Sequence, residues 1–220
     1  MPYSVLVADA YPASGHGLCT LINSIKGARA VGFCHSVESL VQYHGERPDL
    51  LILDLDLGGS PAFDLVTETR QRWPKTRVLV FSGYEDVSFA ARALRAGATG
   101  FVLKTADHSE LIAAISQTVS GSLVFSEEAL SALVGRTDPR AENSPAALLS
   151  NRELQVFTLM GRGFQPQTIA DRLSIALATV YKHVANVKEK LSIPAGGNLT
   201  YFATIWTNQI RRSKAAKSAA

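Results

Sequence analysis

The sequence has few cysteines and no long apolar segment. Its 220 residues include two cysteines, Cys19 and Cys34, too few for a disulfide framework or an unaided four-ligand zinc site. No apolar run reaches about 18 residues, which argues against a membrane span. The start, MPYSVLVADAYP, lacks the basic region of a secretory leader and meets an acidic residue at Asp9. We therefore expect a cytoplasmic protein that does not contact the membrane.

Charge is moderate in total and uneven along the chain. Charged residues make up 19% and hydrophobic residues 46% of the sequence, which is enough apolar material for a folded core. Residues 1–135 hold 10 basic and 14 acidic residues, whereas residues 136–220 hold 12 basic and 5 acidic residues. This asymmetry indicates two modules, the second suited to a polyanion, unless small domains simply differ in charge by chance.

Short apolar runs alternate with helical patterns through the first 120 residues. The strand-like runs are Ser4–Ala8, Ala30–Cys34, Leu50–Leu53, Val78–Phe81 and Phe101–Leu103. The helical patterns are Ser14–Ser24, Val37–Tyr43, Phe63–Arg72, Ser88–Arg95 and Ser109–Val119. Apolar strands without in–out alternation are typical of a parallel sheet that is covered on both faces. We predict a doubly wound α/β domain with a five-stranded parallel sheet.

A polar stretch separates this region from a helical one. Residues 136–147 contain two prolines and no periodicity, and they predict an interdomain linker after a short helix that starts near Ser126. From residue 150 the pattern is helical, over about 150–160, 166–173, 177–190 and 197–211. We expect an α/β domain over 1–124, a linker over 125–147, a small all-α domain over 148–212 and a disordered tail over 213–220.

Four polar side chains stand at or just past the ends of predicted strands: Asp9, Asp54, Ser82 and Lys104. The carboxyl ends of parallel strands share one edge of the sheet, so we expect these side chains to line one crevice. A carboxylate can accept a phosphoryl group, a lysine can neutralise its oxygens, and a hydroxyl can hydrogen-bond the acyl phosphate. The set indicates phosphoryl transfer with Mg²⁺ as the companion cation.

These segments resemble the receiver domain of two-component response regulators, which has a flavodoxin-like fold. The matching segments are VLVADAYP (5–12), LLILDLDLGG (50–59), VLVFSGYED (78–86) and ALRAGATGFVLKTADHSEL (93–111). The resemblance implies that Asp54 is the phosphoacceptor and that a sensor histidine kinase is a partner. It also implies a switch formed by Ser82, Phe101 and Lys104.

The resemblance further implies an Mg²⁺ site with one departure from the family pattern. Asp9, Asp54 and the backbone carbonyl of Asp56 would hold the ion. Ala10 stands where the family usually has a second carboxylate, and the loss of a hard oxygen ligand should weaken Mg²⁺ binding. A receiver that works without phosphorylation is therefore an alternative.

A phosphatase of the haloacid dehalogenase type is a second alternative, because it also has an Asp-x-Asp pair after an apolar strand. Asp54 and Asp56, followed by Ser82 and Lys104, show that order. No further carboxylate cluster follows a later strand, and the extra acidic residue lies upstream at Asp9. We therefore expect a regulator and not an enzyme.

Residues 149–193 predict three helices, of which the last two are joined by a tight turn. Ser150 and Glu153 form a capping-box pattern before the first of these helices, and Pro166 starts the second. A turn at Ser174–Ala176 leads into a longer helix, Leu177–Leu191. This stretch resembles the LuxR/NarL-type helix-turn-helix domain over about 148–210. Together with the receiver, it identifies the chain as resembling NarL/LuxR response regulators.

That resemblance implies which residues face double-stranded DNA. The recognition helix would be Ala178–Leu191, whose N-terminal part enters the major groove. The implied base-reading residues are Tyr181, Lys182 and Ala185. The implied phosphate contacts, which fix register and not sequence, are Thr179, Asn186, Lys188 and Lys190.

The turn and the last helix complete the expectations for this domain. Ala176 replaces the usual Ser or Thr cap of the recognition helix, and Ser174 replaces a typical glycine in the turn. The last helix, Leu199–Ile210, has apolar residues at helical spacing. Core packing is enough to explain that spacing. The resemblance also implies that part of the helix is a homodimer surface, and a two-fold dimer would match an inverted repeat in DNA.

Overall fold

The computed structural model describes residues 2–133, 144–194 and 197–216. The first domain is built on a five-stranded sheet in the order β2-β1-β3-β4-β5, with every neighbouring pair parallel. The strands are β1 (Tyr3–Ala8), β2 (Ala28–Cys34), β3 (Leu50–Leu53), β4 (Arg77–Ser82) and β5 (Gly100–Leu103). This confirms the predicted α/β fold and the position of every predicted strand.

Helices cover both faces of the sheet and follow the predicted patterns. They are α1 (Pro12–Ser24), α2 (Val37–Val41), α3 (Phe63–Arg72), α4 (Val87–Arg95) and α5 (His108–Ser120). Alternate strand residues enter different cores, with Leu6 and Leu51 in one and Val5 and Ile52 in the other. Both faces are therefore buried, which explains why the strands are apolar throughout.

The second domain is entirely helical within the described residues. Its helices and those that lead to it are α6 (Glu127–Leu133), α7 (Pro145–Leu148), α8 (Asn151–Gly161), α9 (Pro166–Leu173), α10 (Leu177–Lys190) and α11 (Leu199–Ala216). Residues 134–143 of the predicted linker lie outside the described residues. Over the described ranges, the structure has no helix that combines the length and apolar character needed to cross a membrane.

The last helix continues further than its apolar pattern indicates. The sequence predicts an end near residue 211 and a tail from 213, whereas α11 continues to Ala216. Lysine and alanine have high helix propensity, so the helix can extend beyond its last buried residue. The remainder of the predicted tail, residues 217–220, lies outside the described residues.

The capping box at the start of α8 forms as predicted. Ser150 Oγ accepts a hydrogen bond from the Glu153 backbone N–H at 3.3 Å, and Glu153 Oε2 accepts one from the Ser150 N–H at 2.8 Å. The same oxygen of Glu153 also receives Lys190 Nζ at 2.7 Å. Burial raises the pKa of Glu153, but the bonds from Lys190 and Ser150 outweigh it and lower the pKa to about 2. This carboxylate therefore joins the start of α8 to the end of α10.

The two domains pack against each other through polar and aromatic contacts. Arg92 on α4 donates to the carbonyl oxygens of Ala146 and Leu149, both at 2.6 Å, and to Asn151 Oδ1 at 2.6 Å. The rings of Phe89 on α4 and Trp206 on α11 stack with centroids 6.3 Å apart. The carboxyl edge of the sheet consequently lies beside the second domain.

Candidate functional site

The acidic crevice forms at the carboxyl edge, where β1 and β3 are neighbours. Lys104 Nζ donates to Asp9 Oδ2 at 2.7 Å and to Asp54 Oδ2 at 2.8 Å. The two aspartates are only 1% and 2% exposed. The structure thus brings together three residues that are far apart in the sequence, and it places one ammonium group between two buried carboxylates.

Backbone and hydroxyl donors hold both carboxylates in place. Asp9 Oδ1 accepts from the Tyr11 N–H at 2.8 Å, and Asp9 Oδ2 accepts from Ser14 Oγ at 2.8 Å. Asp54 Oδ1 accepts from the Asp56 N–H at 3.0 Å. These bonds fix the orientation of the acidic groups before any ligand arrives.

The pocket also changes the acidity of its groups. Burial raises the pKa of Asp54, and the attraction of Lys104 opposes this shift without reversing it. Burial lowers the pKa of Lys104, but Asp54 and Asp9 outweigh it and raise the pKa overall. Lys104 is therefore held as a cation at neutral pH.

Ser82 and Phe101, the other predicted switch residues, lie on the neighbouring strands. Ser82 is buried at the end of β4, where its Oγ accepts from the Tyr84 N–H at 3.1 Å. Its carbonyl oxygen accepts from the Lys104 N–H at 2.8 Å. Phe101 on β5 is half-buried and packs against the core that extends into the second domain.

The donor groups of this pocket do not fit a complete Mg²⁺ site. Ala10 offers no carboxylate, the Asp56 carbonyl oxygen accepts from the Gly59 N–H at 3.0 Å, and Lys104 occupies oxygens of Asp9 and Asp54. Within the part of the chain that the structure describes, no three His, Cys, Asp or Glu side chains form a group that could hold a metal ion. Mg²⁺ binds through one or two carboxylates and keeps several waters, so here it would have to compete with Lys104 for the oxygens of Asp9 and Asp54.

Two residues that the sequence analysis did not single out meet at the rim of this pocket. Arg162, in the second domain, places Nη2 2.5 Å from Asp56 Oδ1. The Tyr84 hydroxyl donates to the same Asp56 oxygen at 3.2 Å. Arg162 lies 106 residues further along the chain, so its contact with Asp56 leaves no local pattern in the sequence.

The predicted recognition helix, α10, presents its base-reading candidates to solvent. Tyr181 is 56% exposed, and Lys182 and Ala185 are exposed beside it. Val180 and Val187 are fully buried, so the helix has a distinct inner side. The helix therefore offers an exposed polar surface.

The residues predicted to contact phosphate differ in their exposure and in their bonds within the domain. Thr179, Asn186 and Lys188 are partly exposed. Lys190 binds Glu153 inside the domain, although its side chain remains 43% exposed. Lys190 consequently has a structural role whether or not it also meets DNA.

The turn before α10 shows both predicted departures. Ser174 has a left-handed backbone, with φ of 51°, which glycine adopts at lower cost. Ala176 stands at the N-cap of α10 and provides no side-chain hydrogen bond. The turn retains its geometry although it lacks the two most favourable residues.

Two family models match the chain in these two regions. Residues 5–116 match the response regulator receiver domain. Residues 147–202 match the bacterial regulatory proteins of the luxR family. These matches favour a regulator over the phosphatase alternative.

Relatives match over most of the chain. Fimbriae Z protein of Salmonella typhimurium is 30% identical over 193 residues, which cover 87% of this chain and 91% of that protein. The oxygen regulatory protein NreC of Staphylococcus carnosus is 26% identical over 207 residues, 90% and 95% of the two chains. A structure of the RcsB response regulator of Salmonella typhimurium has a TM-score of 0.72 at 21% identity and covers 93% and 98%. The chain therefore belongs to the response regulators of the luxR family, which are transcription regulators.

Proposed function

We propose that this regulator binds double-stranded DNA through α10, with the pocket around Asp54 as its input. The observation that carries the proposal is the exposed surface of α10, where Tyr181 and Lys182 face solvent in a helix-turn-helix arrangement. Lys182 can donate to guanine O6 and N7, and Tyr181 can pack on a thymine methyl group or donate a hydrogen bond. A DNA ligand implies the bacterial cytoplasm as the compartment.

Phosphate contacts and a homodimer complete the DNA-binding proposal. Thr179, Asn186 and Lys188 lie on the same helix and would fix its register on the backbone. On α11, Tyr201, Phe202 and Ile205 are exposed apolar residues, which suits a contact with a second copy. A two-fold dimer would place two copies of α10 on an inverted repeat.

For the input, we infer that Asp54 is the phosphoacceptor and that a sensor histidine kinase is its donor. The Asp54 carboxylate would attack the phosphorus of the kinase's phosphohistidine, the P–N bond would break and the imidazole would leave. The Lys104 ammonium, already 2.8 Å from Asp54, would neutralise the added charge. Ser82 Oγ would then leave the Tyr84 N–H and bond to the phosphoryl oxygen, and Phe101 would follow. This change at β4 and β5 would reach the contact between the domains.

A receiver that works without phosphorylation is the second candidate. Two observations favour it: Ala10 removes a carboxylate, and Arg162 occupies Asp56. In that case DNA binding would be constitutive or would depend on another ligand or partner, and Asp54 would contribute only to the folded pocket.

One experiment separates the two candidates. The full chain is incubated with a small phosphoryl donor, with and without Mg²⁺, and its intact mass is measured before selection of DNA from a random pool. A gain of one phosphoryl mass that Asp54→Asn abolishes supports the phosphoacceptor. No gain under any condition, with a DNA sequence still selected, supports the second candidate. Failure to select any sequence contradicts DNA recognition.

A further inference from the structure

We propose that Arg162 is a built-in cation of the receiver pocket, which holds the DNA-binding domain on the receiver and competes with divalent cations. The proposal rests on the proposed role of the pocket as the input. It assigns a regulatory function to three residues: Asp56, Tyr84 and Arg162. We call this group the clasp.

The clasp is a compact, largely buried group. Arg162 Nη2 lies 2.5 Å from Asp56 Oδ1 and 3.5 Å from the Tyr84 hydroxyl. The side chains of Arg162 and Asp56 are only 13% and 18% exposed. A charge-assisted hydrogen bond in such a place is screened much less than one at the surface. The contact therefore favours the closed arrangement of the two domains.

The clasp residues are also bonded to the pocket through their backbones. The Asp56 N–H donates to Asp54 Oδ1 at 3.0 Å, and the Tyr84 N–H donates to Ser82 Oγ at 3.1 Å. Asp54 and Ser82 are the groups that would change partners when a ligand enters. Any such change must move the two residues that hold Arg162.

Charge balance explains why an arginine is suited to this position. Asp9, Asp54 and Asp56 bring three carboxylates to the pocket region, whereas Lys104 supplies one positive charge there. Arg162 adds a second positive charge. A divalent ion would seek the same carboxylates, so binding of either cation disfavours the other, and this coupling is reciprocal. Arg162 of the second domain thus supplies positive charge to a pocket that fits Mg²⁺ poorly.

A stacked row of rings connects the clasp to the domain contact. Tyr84 stacks on Phe89 with centroids 4.3 Å apart and an interplanar angle of 9°. Phe89 stacks on Trp206, which also contacts Phe157 at 5.3 Å. Movement of Tyr84 is therefore expected to expose Trp206 to solvent.

The test uses the full chain, with Mn²⁺ alone as the probe and with neither DNA nor phosphoryl donor. Mn²⁺ affinity is measured by calorimetry. Opening is measured by acrylamide quenching of Trp206 in a Trp73→Phe background, because the chain has two tryptophans. We expect weak Mn²⁺ binding and low quenching in the parent. Arg162→Gln should bind Mn²⁺ at least about tenfold more tightly, because a nearby positive charge has been removed. It should also show stronger quenching of Trp206, because the contact between Arg162 and Asp56 is lost.

Matched variants separate the charge from the contact. Asp56→Asn should increase quenching without a gain in Mn²⁺ affinity, because it breaks the clasp and also removes a carboxylate. Arg162→Lys should retain weak Mn²⁺ binding, because it retains the charge. Arg172→Gln is the control, because Arg172 lies beside the same loop as Arg162. An ideal Cβ built on Gly59 of that loop would lie 3.3 Å from Arg162 Nη1 and 3.6 Å from Arg172 Nη1.

The outcomes are distinct from those of the proposed function. Circular dichroism establishes that each variant is folded. If Arg162→Gln does not fold, the separate variants Arg162→Lys and Asp56→Asn replace it in the test. Parent-like Mn²⁺ affinity and quenching in Arg162→Gln, or an equal gain in Arg172→Gln, would overturn the proposal. DNA binding plays no part in these measurements, so a failure of DNA recognition would leave their result intact.

Discussion

The receiver pocket and the surface of α10 are opposite kinds of polar site. Asp9 and Asp54 are buried, Lys104 is largely buried, and each is bonded to a partner inside the protein. Tyr181 and Lys182 are exposed on α10. In the proposed function, the bonds of the first site must rearrange when it signals, whereas the second site is already exposed to a ligand. Substitutions should therefore affect stability at the pocket and affinity at the helix.

The largest expected effect is at Lys104. Lys104→Ala leaves two buried carboxylates without their cation, and we expect a loss of about 3 kcal/mol in the free energy of unfolding. Denaturant titration of the full chain measures it. Lys182→Ala is the matched control, because an exposed lysine should change stability by less than about 0.5 kcal/mol. Equal losses in the two variants would contradict the contrast between the sites.

The pH dependence of stability comes next and centres on Glu153. Its pKa is about 2 in the folded chain, below the ordinary glutamate value of 4.5, so its contribution is fully present above pH 4.5. That contribution is lost as the pH falls from 4.5 towards 2, because the unfolded chain then binds more protons.

Thermal unfolding of the parent and of Glu153→Gln at pH 6 and pH 3.5 measures this contribution. Glu153→Gln should lower the melting temperature at pH 6 and reduce the difference between the two pH values. An undiminished difference would show that other carboxylates cause the acid sensitivity.

At the exposed site, two lysines of α10 should behave differently on DNA. Lys182→Ala should weaken binding to the selected sequence by about 1–3 kcal/mol and relax the preference at one base pair. Lys188→Ala should weaken all sequences alike and reduce the salt slope by about 1. Fluorescence anisotropy on specific and random duplexes at several salt concentrations distinguishes them. Identical behaviour of Lys182→Ala on both duplexes would remove its base-reading role.

The smallest expected effects concern helix caps. Ala176→Ser adds a side-chain acceptor where the backbone already has cap geometry, and it should stabilise the chain by about 0.5–1 kcal/mol. Ser150→Ala removes the existing cap of α8 and should destabilise it by about 1 kcal/mol. Urea titration of both variants measures the free energy of unfolding and tests whether the N-caps of α10 and α8 contribute comparable amounts to it. A destabilising Ala176→Ser would mean that the serine cannot reach the first turn of α10.

Much of the fold and part of the site could be predicted from local patterns. Unbroken apolar runs identified the strands, because a parallel sheet buries both faces. The Ser150–Glu153 spacing identified the start of α8, because a capping box spans only four residues. The positions of Asp9 and Asp54 followed from the rule that carboxyl ends share one edge. The ends of helices were predicted less well, since α11 continues to Ala216, beyond the last apolar residue of its helical pattern.

The sequence alone determined the two modules, their order, and the residues that line the pocket and the outer side of α10. These features depend on short-range periodicity and on strand order, which neighbouring residues encode. Only the tertiary structure decided that Arg162 meets Asp56 and Tyr84 and that Lys190 is bound by Glu153. Such pairs join distant segments, and an arginine or lysine looks the same in the sequence whether it faces water or a buried carboxylate. Their partners are chosen by how the packed domains bring charges together.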